Sequence, residues 1–170
     1  MLYESGEILE FFDLGGPVFT AVLVTSTLLW ILILERYWYF FMVFPQRLAE
    51  VVNRWKQRTD HSSWYALRVR EGLLADIIIA SKQYLIPIKA LTTVLPLLGL
   101  LGTVTGMISI FEVLKVFGTG NTQGMAAGIA RALLPTIAGL VTALAGLYFS
   151  SDLDRRVKMQ LEQTKDLLRI

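Results

Sequence analysis

The sequence predicts an all-α membrane protein with three transmembrane helices and long helical extensions on the cytoplasmic side. Uncharged apolar runs lie at 14–34, 90–111 and 132–151, and each has about 20 residues, enough to cross the hydrocarbon core as a helix. Hydrophobic residues make up 54% of the 170 residues and charged residues only 18%, which is low for a soluble domain. The chain is therefore expected to be an integral membrane protein.

Charges, breaker residues and periodicity divide the chain into seven segments. They are an outside amphipathic segment at 1–13, transmembrane helix 1 at 14–44, a cytoplasmic helical loop at 45–87, transmembrane helix 2 at 88–116, an outside turn at 117–124, transmembrane helix 3 at 125–151 and a cytoplasmic helical tail at 152–170. A frayed terminus is an equal alternative for the first segment. Gly-Gly-Pro at 15–17 should break the first helix and restart it.

The loop and the tail show helical periodicity. Val51, Val52 and Trp55 predict a first loop helix, and Ser62 or Ser63 is expected to cap a second one. The apolar face of that second helix is predicted to hold Trp64, Leu67, Leu74, Ile77 and Ile78. The tail should pack on the loop helices through Leu153, Val157, Leu161, Thr164 and Leu168. The single histidine, His61, is expected to be solvated.

The placement of the basic residues predicts the topology. Residues 46–86 contain seven Lys or Arg, whereas residues 1–13 contain none and residues 112–124 contain only Lys115. Since bases mark the cytoplasmic side, the N-terminus and the 112–124 turn should lie outside, and the loop and the C-terminus inside.

Several functional classes find no support. The chain has no cysteine and a net charge of +2, and it shows no nucleotide-binding loop, metal-ligand cluster or nucleophile–base pair. We therefore expect no metal, no cofactor, no nucleic-acid partner and no enzymatic activity.

Small residues follow one face of each of the last two apolar runs. Because small side chains let membrane helices approach closely, we expect close packing at Gly99, Gly102, Gly106, Gly139 and Gly146. Pro96 and Pro135 lie inside these runs and should bend them.

Two hydroxyls on these faces allow two interpretations. Thr103 and Thr136 could bond their own backbone four residues back, which requires no function. Alternatively, several subunits could place these hydroxyls around a central pore. The residues alone leave the two alternatives even.

One base stands near the start of the third run, and no acid or histidine lies in the middle of any run. If the helix begins near Met125, Arg131 lies roughly 9 Å along it. It could reach back to the interface, or face a lumen or the acid of a partner. A proton carrier needs a titratable group at membrane depth, so any such group must come from a partner.

Three stretches resemble the ExbB/TolQ/MotA family. They are WILILERYWYF at 30–40, LLGLLGTVTGMISIF at 97–111 and GMAAGIARALLPTIAGLVTALAG at 124–146. The combination is specific, and among members of the family the chain most resembles a short-loop ExbB.

The resemblance implies a function in energy transduction. ExbB-like proteins lie in the bacterial inner membrane with a periplasmic N-terminus and a cytoplasmic C-terminus. They form a homopentamer around the helices of ExbD, a one-span protein whose intramembrane Asp carries the proton. Force then passes through TonB to outer-membrane importers of iron complexes and similar nutrients. The pore-lining threonines of the family fall on Thr103 and Thr136.

Two departures from the family pattern concern the third run. Arg131 replaces the family's Glu, and Pro135 replaces the alanine before the threonine. Arg131 is therefore expected to attract an acidic partner group, or the phosphate of a bound phospholipid, at the outer pore mouth. The alternatives to ExbB are a TolQ-like subunit for envelope integrity and a passive scaffold without an ion path.

Overall fold

The computed structural model is helical almost throughout. It describes residues 2–118 and 122–168, with side chains from Gly15 onward except at 117. The helices are α1 (Leu2–Trp38), a π-helical segment (Tyr39–Val43), α2 (Phe44–Lys56), α3 (Trp64–Lys82), α4 (Leu85–Phe117) and α5 (Thr122–Leu167). Within these described residues, three helical stretches are long and apolar enough to cross a membrane, which confirms the predicted fold class. The middle of the predicted 117–124 turn and the side chains of 1–13 lie outside the described residues.

A kink interrupts α1 where the sequence predicts a break. Gly16 has φ 69° and ψ −175°, a left-handed backbone conformation that glycine adopts without steric cost. Pro17 follows at once, and its fixed φ suits the first turn of the helix that restarts there.

The chain forms two compact units. The first comprises the chain up to Trp30 together with Lys89–Leu147, and the second comprises Ile31–Ile88 with the chain from Tyr148 onward. In the first unit, Val22, Leu29 and Leu95 are fully buried. Many other apolar side chains there face outwards, as Leu144 does with 68% of its surface exposed. Such extensive apolar exposure is expected where lipid or neighbouring subunits cover the surface.

The core of the second unit lies between α2, α3 and the tail. Trp55, Ala66 and Leu168 are almost completely buried together, which confirms the predicted contact of the tail with the loop helices. The predicted face of α3 is partly wrong, because Trp64 and Leu67 are exposed and the buried residues are Ala66, Ile77 and Ser81. Ala66 is the residue of α3 that meets the Trp55 indole, so the larger side chains of Trp64 and Leu67 point outwards.

The turn between α2 and α3 is held by short polar side chains. Ser63 caps α3 by accepting hydrogen bonds from the backbone N–H groups of Tyr65 and Ala66, as the sequence predicts for one of two serines. The Asp60 carboxylate accepts the N–H groups of Ser62 and Ser63 at 3.1 and 3.0 Å. Hydrogen bonds from Ser63, then from Ser62, hold the pKa of Asp60 below its usual value.

The expectation that His61 is merely solvated is wrong. Its Nε2 lies 3.1 Å from the carbonyl oxygen of Trp55, and the imidazole packs edge-on against the indole with 5.0 Å between ring centroids. The carbonyls in the last turn of a helix lack intrahelical donors. The Trp55 carbonyl accepts the N–H of Arg58 at 3.2 Å, and in its Nε2–H tautomer His61 gives this carbonyl a second donor at the end of α2.

A buried cation fixes the corner between α3 and α4. Arg36 is 1% exposed, and its Nη1 donates to the carbonyl of Ala80 at 3.0 Å. The guanidinium carbon lies 4.7 and 5.0 Å from the ring centroids of Tyr39 and Tyr84. Its Nε lies 3.2 Å from the carboxylate of Glu35 but makes no directed hydrogen bond, so this contact is Coulombic. Tyr84 has φ 62°, an uncommon conformation for a bulky residue.

Candidate functional site

Glycines bring α4 and α5 into backbone contact. A methyl group on Gly139 would lie 2.7 Å from the carbonyl oxygen of Leu95, and one on Gly99 would lie 3.0 Å from the Cα of Thr136. A methyl group on Gly102 would collide with the ring of Pro135, and one on Gly106 with Ala132. Real Cβ atoms are essentially never found under 3.0 Å from a neighbour, and a contact of 3.0 Å is already unusually tight. The absence of a Cβ at these glycines is therefore what permits this separation of the two helices.

Helix α1 joins this pair at a different level. A methyl group on Gly146 would lie 2.8 Å from the Cδ2 of Leu29 and 2.9 Å from the Oγ1 of Thr92. The Ser26 hydroxyl lies 3.4 Å from the hydroxyl of Thr142. The glycines singled out in the sequence therefore lie at contacts among all three helices of the first unit.

Thr136 links α5 to α4. Its half-buried hydroxyl donates to the carbonyl of Gly99 at 2.8 Å and to that of Ala132 at 3.2 Å. The bond to Ala132 is the local one that the sequence suggested, whereas the bond to Gly99 crosses between the helices. Thr136 thus stabilises the pairing of α4 with α5 as well as its own turn.

Thr103 lies at the same level of the helix pair. Gly99 and Gly102 contact Thr136 and Pro135, and Thr103 directly follows Gly102. The Thr103 hydroxyl is half-buried and donates to the carbonyl of Leu100 at 2.7 Å. A hydroxyl has one donor hydrogen and two acceptor lone pairs. Since both hydroxyls donate to carbonyls, each oxygen remains able to accept, but neither group can titrate at physiological pH.

Arg131 borders a recess in the first unit. The recess has a volume of about 190 Å³ and is lined by Gly15, Gly16, Pro17, Val18, Thr105, Gly106, Ser109 and Arg131. Arg131 is exposed, and no hydrogen bond or ion pair of its side chain occurs within residues 2–118 and 122–168. Because α5 begins at Thr122 rather than near 125, Arg131 lies about 13 Å along the helix, deeper than the sequence suggested.

Some features of the site escape sequence reasoning. The proline at 135 indicates a bend, but nothing in the pattern shows that its ring packs into the space left by Gly102. The break at 15–17 likewise gives no sign that this segment borders the recess of Arg131. Among the described residues, no group of His, Cys, Asp or Glu is arranged to hold a metal ion.

These features define a polytopic helical membrane protein whose last two spanning helices pack backbone to backbone and carry hydroxyls but no acid within their apolar runs. The chain belongs to the MotA/TolQ/ExbB proton channel family, whose model matches residues 46–166.

Individual relatives agree with this assignment. The chain is 26% identical to an ExbB-like biopolymer transport protein of Helicobacter pylori strain J99 over 167 residues, a match that covers 88% of each chain. It is 42% identical to an ExbB-like protein of Synechocystis over 65 residues. That second match covers 37% of this chain but only 31% of the relative.

Proposed function

We propose that this chain is the multi-copy subunit of a bacterial inner-membrane proton channel. It would work with an ExbD-like one-span protein and pass the energy of the proton motive force to a TonB-like protein, for import of iron complexes and similar nutrients. The observation that carries the proposal is the α4–α5 pair, where Thr103 and Thr136 offer hydroxyl oxygens in runs without any acid or histidine. Membership of the proton channel family and an ExbB-like relative matched over 88% of each chain support it.

The lack of acids and histidines in the apolar runs supports a proton carrier on the partner. A carboxylic acid buried in an apolar lumen favours its neutral, protonated form, and its O–H needs acceptors. The oxygens of Thr103 and Thr136 can accept, because their hydrogens already point to backbone carbonyls. An aspartate on the partner's helix would therefore carry the proton past Thr103 and Thr136, and the two hydroxyl oxygens would orient its carboxyl group.

A ring of several copies supplies the lumen in this proposal. The outward-facing apolar side chains of the first unit, such as Leu144, would be covered by lipid on one side and by neighbouring copies on the other. We expect five copies, as in the ExbB proteins that the chain resembles. The N-terminus would be periplasmic and the loop and tail cytoplasmic, in line with the basic residues at 46–86.

The proposal is tested by proton flux through the complex with its one-span partner in liposomes. Thr136→Val and Thr103→Val should each lower flux at least about tenfold, whereas Thr136→Ser should retain it. Thr27→Val is the matched control, because Thr27 is an exposed hydroxyl of α1 that also donates to a carbonyl, that of Leu23 at 2.9 Å. Equal flux in all four variants would exclude hydroxyl participation.

A second candidate is a passive scaffold, favoured by the backbone hydrogen bonds of both hydroxyls, which purely structural helices also show. A TolQ-like role in envelope integrity is a third candidate within the family. The flux assay separates the scaffold from a channel. Cells lacking the chain separate the two family roles. Loss of growth on iron complexes would indicate the ExbB-like role, and loss of resistance to detergents would indicate the TolQ-like role.

We propose further that Arg131 attracts an acidic group of the partner, or a phospholipid phosphate, at the outer mouth of the pore. Its free guanidinium beside the recess supports this. Arg131→Ala should lower flux, together with the amount of co-purified partner or of co-purified phospholipid. Unchanged flux and assembly would show that the residue is idle.

A further inference from the structure

We propose that the second unit carries a docking surface for an acidic segment of a protein partner. We call this surface the aromatic tip, and it consists of Arg58, Trp64, Tyr65 and Arg68. It lies where the turn after α2 enters α3, and the inference does not depend on the ion path.

The first argument is the exposure of two large aromatic side chains. Trp64 is 72% exposed and Tyr65 is 64% exposed, although their neighbour Ala66 is completely buried. Trp, Tyr and Arg are the residues most enriched among those that dominate the binding energy of protein interfaces. Three residues of these types, Trp64, Tyr65 and Arg68, are exposed within the second unit, and Arg58 beside them is half-buried. This cluster indicates an interaction surface.

The second argument is that the aromatic tip is held rigidly. The Ser63 hydroxyl accepts the N–H of Tyr65 at 3.1 Å, and Asp60 accepts the N–H of Ser63. Beneath the tip, Ala66 packs with Trp55 and Leu168. A surface fixed in this way loses little conformational entropy when a partner binds.

The third argument is charge. The Arg68 guanidinium lies 5.4 Å from the Trp64 ring centroid, and that of Arg58 lies 5.7 Å from the Tyr65 ring centroid. Residues 54–71 contain five bases, namely Arg54, Lys56, Arg58, Arg68 and Arg70, and two acids, Asp60 and Glu71. Asp60 already accepts backbone N–H groups. The surface therefore complements a partner that carries carboxylates.

One arginine of the tip, Arg68, can still receive a carboxylate. Arg68 contacts Glu71 at 3.2 Å, but both side chains are about two-thirds exposed. An exposed pair of this kind is worth little, so a carboxylate of the partner can compete with Glu71.

A membrane surface fits the aromatic tip less well. The tip adjoins Leu168, which packs with Ala66, and α5 continues unbroken to Leu167. Leu168 lies about 25 Å along this helix from Ser151, the last residue of the uncharged run, whereas the headgroup layer is about 5–8 Å thick.

The test uses the full chain in lipid nanodiscs and a fluorescent peptide of alternating Glu and Phe. We expect this peptide to bind with a Kd that rises steeply with salt concentration. Trp64→Ala should raise the Kd about tenfold, and a peptide of alternating Lys and Phe should not bind. Arg68→Glu should weaken binding at least as much. Trp38→Ala is the control, since Trp38 is 67% exposed but lies outside the tip.

Several outcomes would overturn the proposal. One is equal binding of the acidic and basic peptides, and another is an unchanged Kd in Trp64→Ala. A third is binding of RNA or of anionic lipid vesicles through the tip without binding of the acidic peptide. Because Trp64 is largely exposed, its substitution should leave the thermal unfolding curve unchanged, which separates lost binding from lost folding.

Discussion

Gly139 provides a sharp test of the backbone contact between α4 and α5. In Gly139→Ala the new methyl group would lie 2.7 Å from the carbonyl oxygen of Leu95, where an ordinary contact starts at 3.4 Å. The obstacle is backbone, which cannot rotate away as a side chain can. Relief of the clash therefore requires α4 and α5 to separate by about 0.7 Å.

The cost of this separation follows from the contacts at the same level. The bond from Thr136 to the Gly99 carbonyl would lengthen from 2.8 Å to about 3.5 Å, where it is effectively lost, at about 1 kcal/mol. Overpacking adds about 1–3 kcal/mol, and the better helix propensity of alanine returns about 1 kcal/mol. We expect a net loss of about 1–3 kcal/mol in the free energy of unfolding.

The assay is reversible unfolding in mixed micelles, followed by circular dichroism. Gly72→Ala is the matched control, because Gly72 lies within α3 with nothing within 4 Å of its Cβ position, so alanine should stabilise the chain by about 1 kcal/mol. If Gly139→Ala stabilised the chain as much as Gly72→Ala, the proposed contact would be refuted.

Two further predictions concern the second unit. Arg36→Met should lower the free energy of unfolding by about 1–3 kcal/mol. The substitution removes a charged hydrogen bond and two ring contacts, and the loss is partly offset because a buried charge is removed as well. Arg47→Met, at an exposed arginine, is the control, and equal stability of the two variants would contradict a stabilising role for Arg36. Asp60→Asn should be less stable than the wild type at neutral pH. The folded pKa of Asp60 lies below its unfolded value, so this carboxylate stabilises the fold above about pH 4 and loses its effect as pH falls through the folded pKa. Unfolding curves measured over a pH series test this role of the carboxylate. It would be contradicted if the stabilities of the wild type and of Asp60→Asn did not converge in acid.

Patterns that depend on one helix alone could be read from the sequence. The Val51, Val52 and Trp55 stripe, the cap at Ser63 and the break at Gly16 each follow from local spacing or local backbone preference. The placement of hydroxyls and the absence of acids in the apolar runs are equally local. The fold class and the composition of the candidate site were therefore accessible before the structure.

Features that depend on how two elements meet could not be read in this way. The periodicity of α3 places Trp64 on the apolar face, but only its contact with α2 shows that Ala66 occupies the buried position. The sequence shows a backbone partner for Thr136 four residues back, but the acceptor at Gly99 depends on the register of α4 against α5. Arg36 likewise looks interfacial until the carbonyl of Ala80 is known to lie beside it.

Pro135 gives the candidate pore wall an acceptor that replacing the two threonines does not remove. A proline has no N–H, so the main-chain oxygen of Arg131, four residues earlier, receives no helical hydrogen bond. This oxygen precedes Thr136 by little more than one turn and could order a water molecule there even in a chain stripped of both threonines. Residual conductance in the double valine variant would then be attributed to Pro135, and replacing that proline with alanine would abolish it.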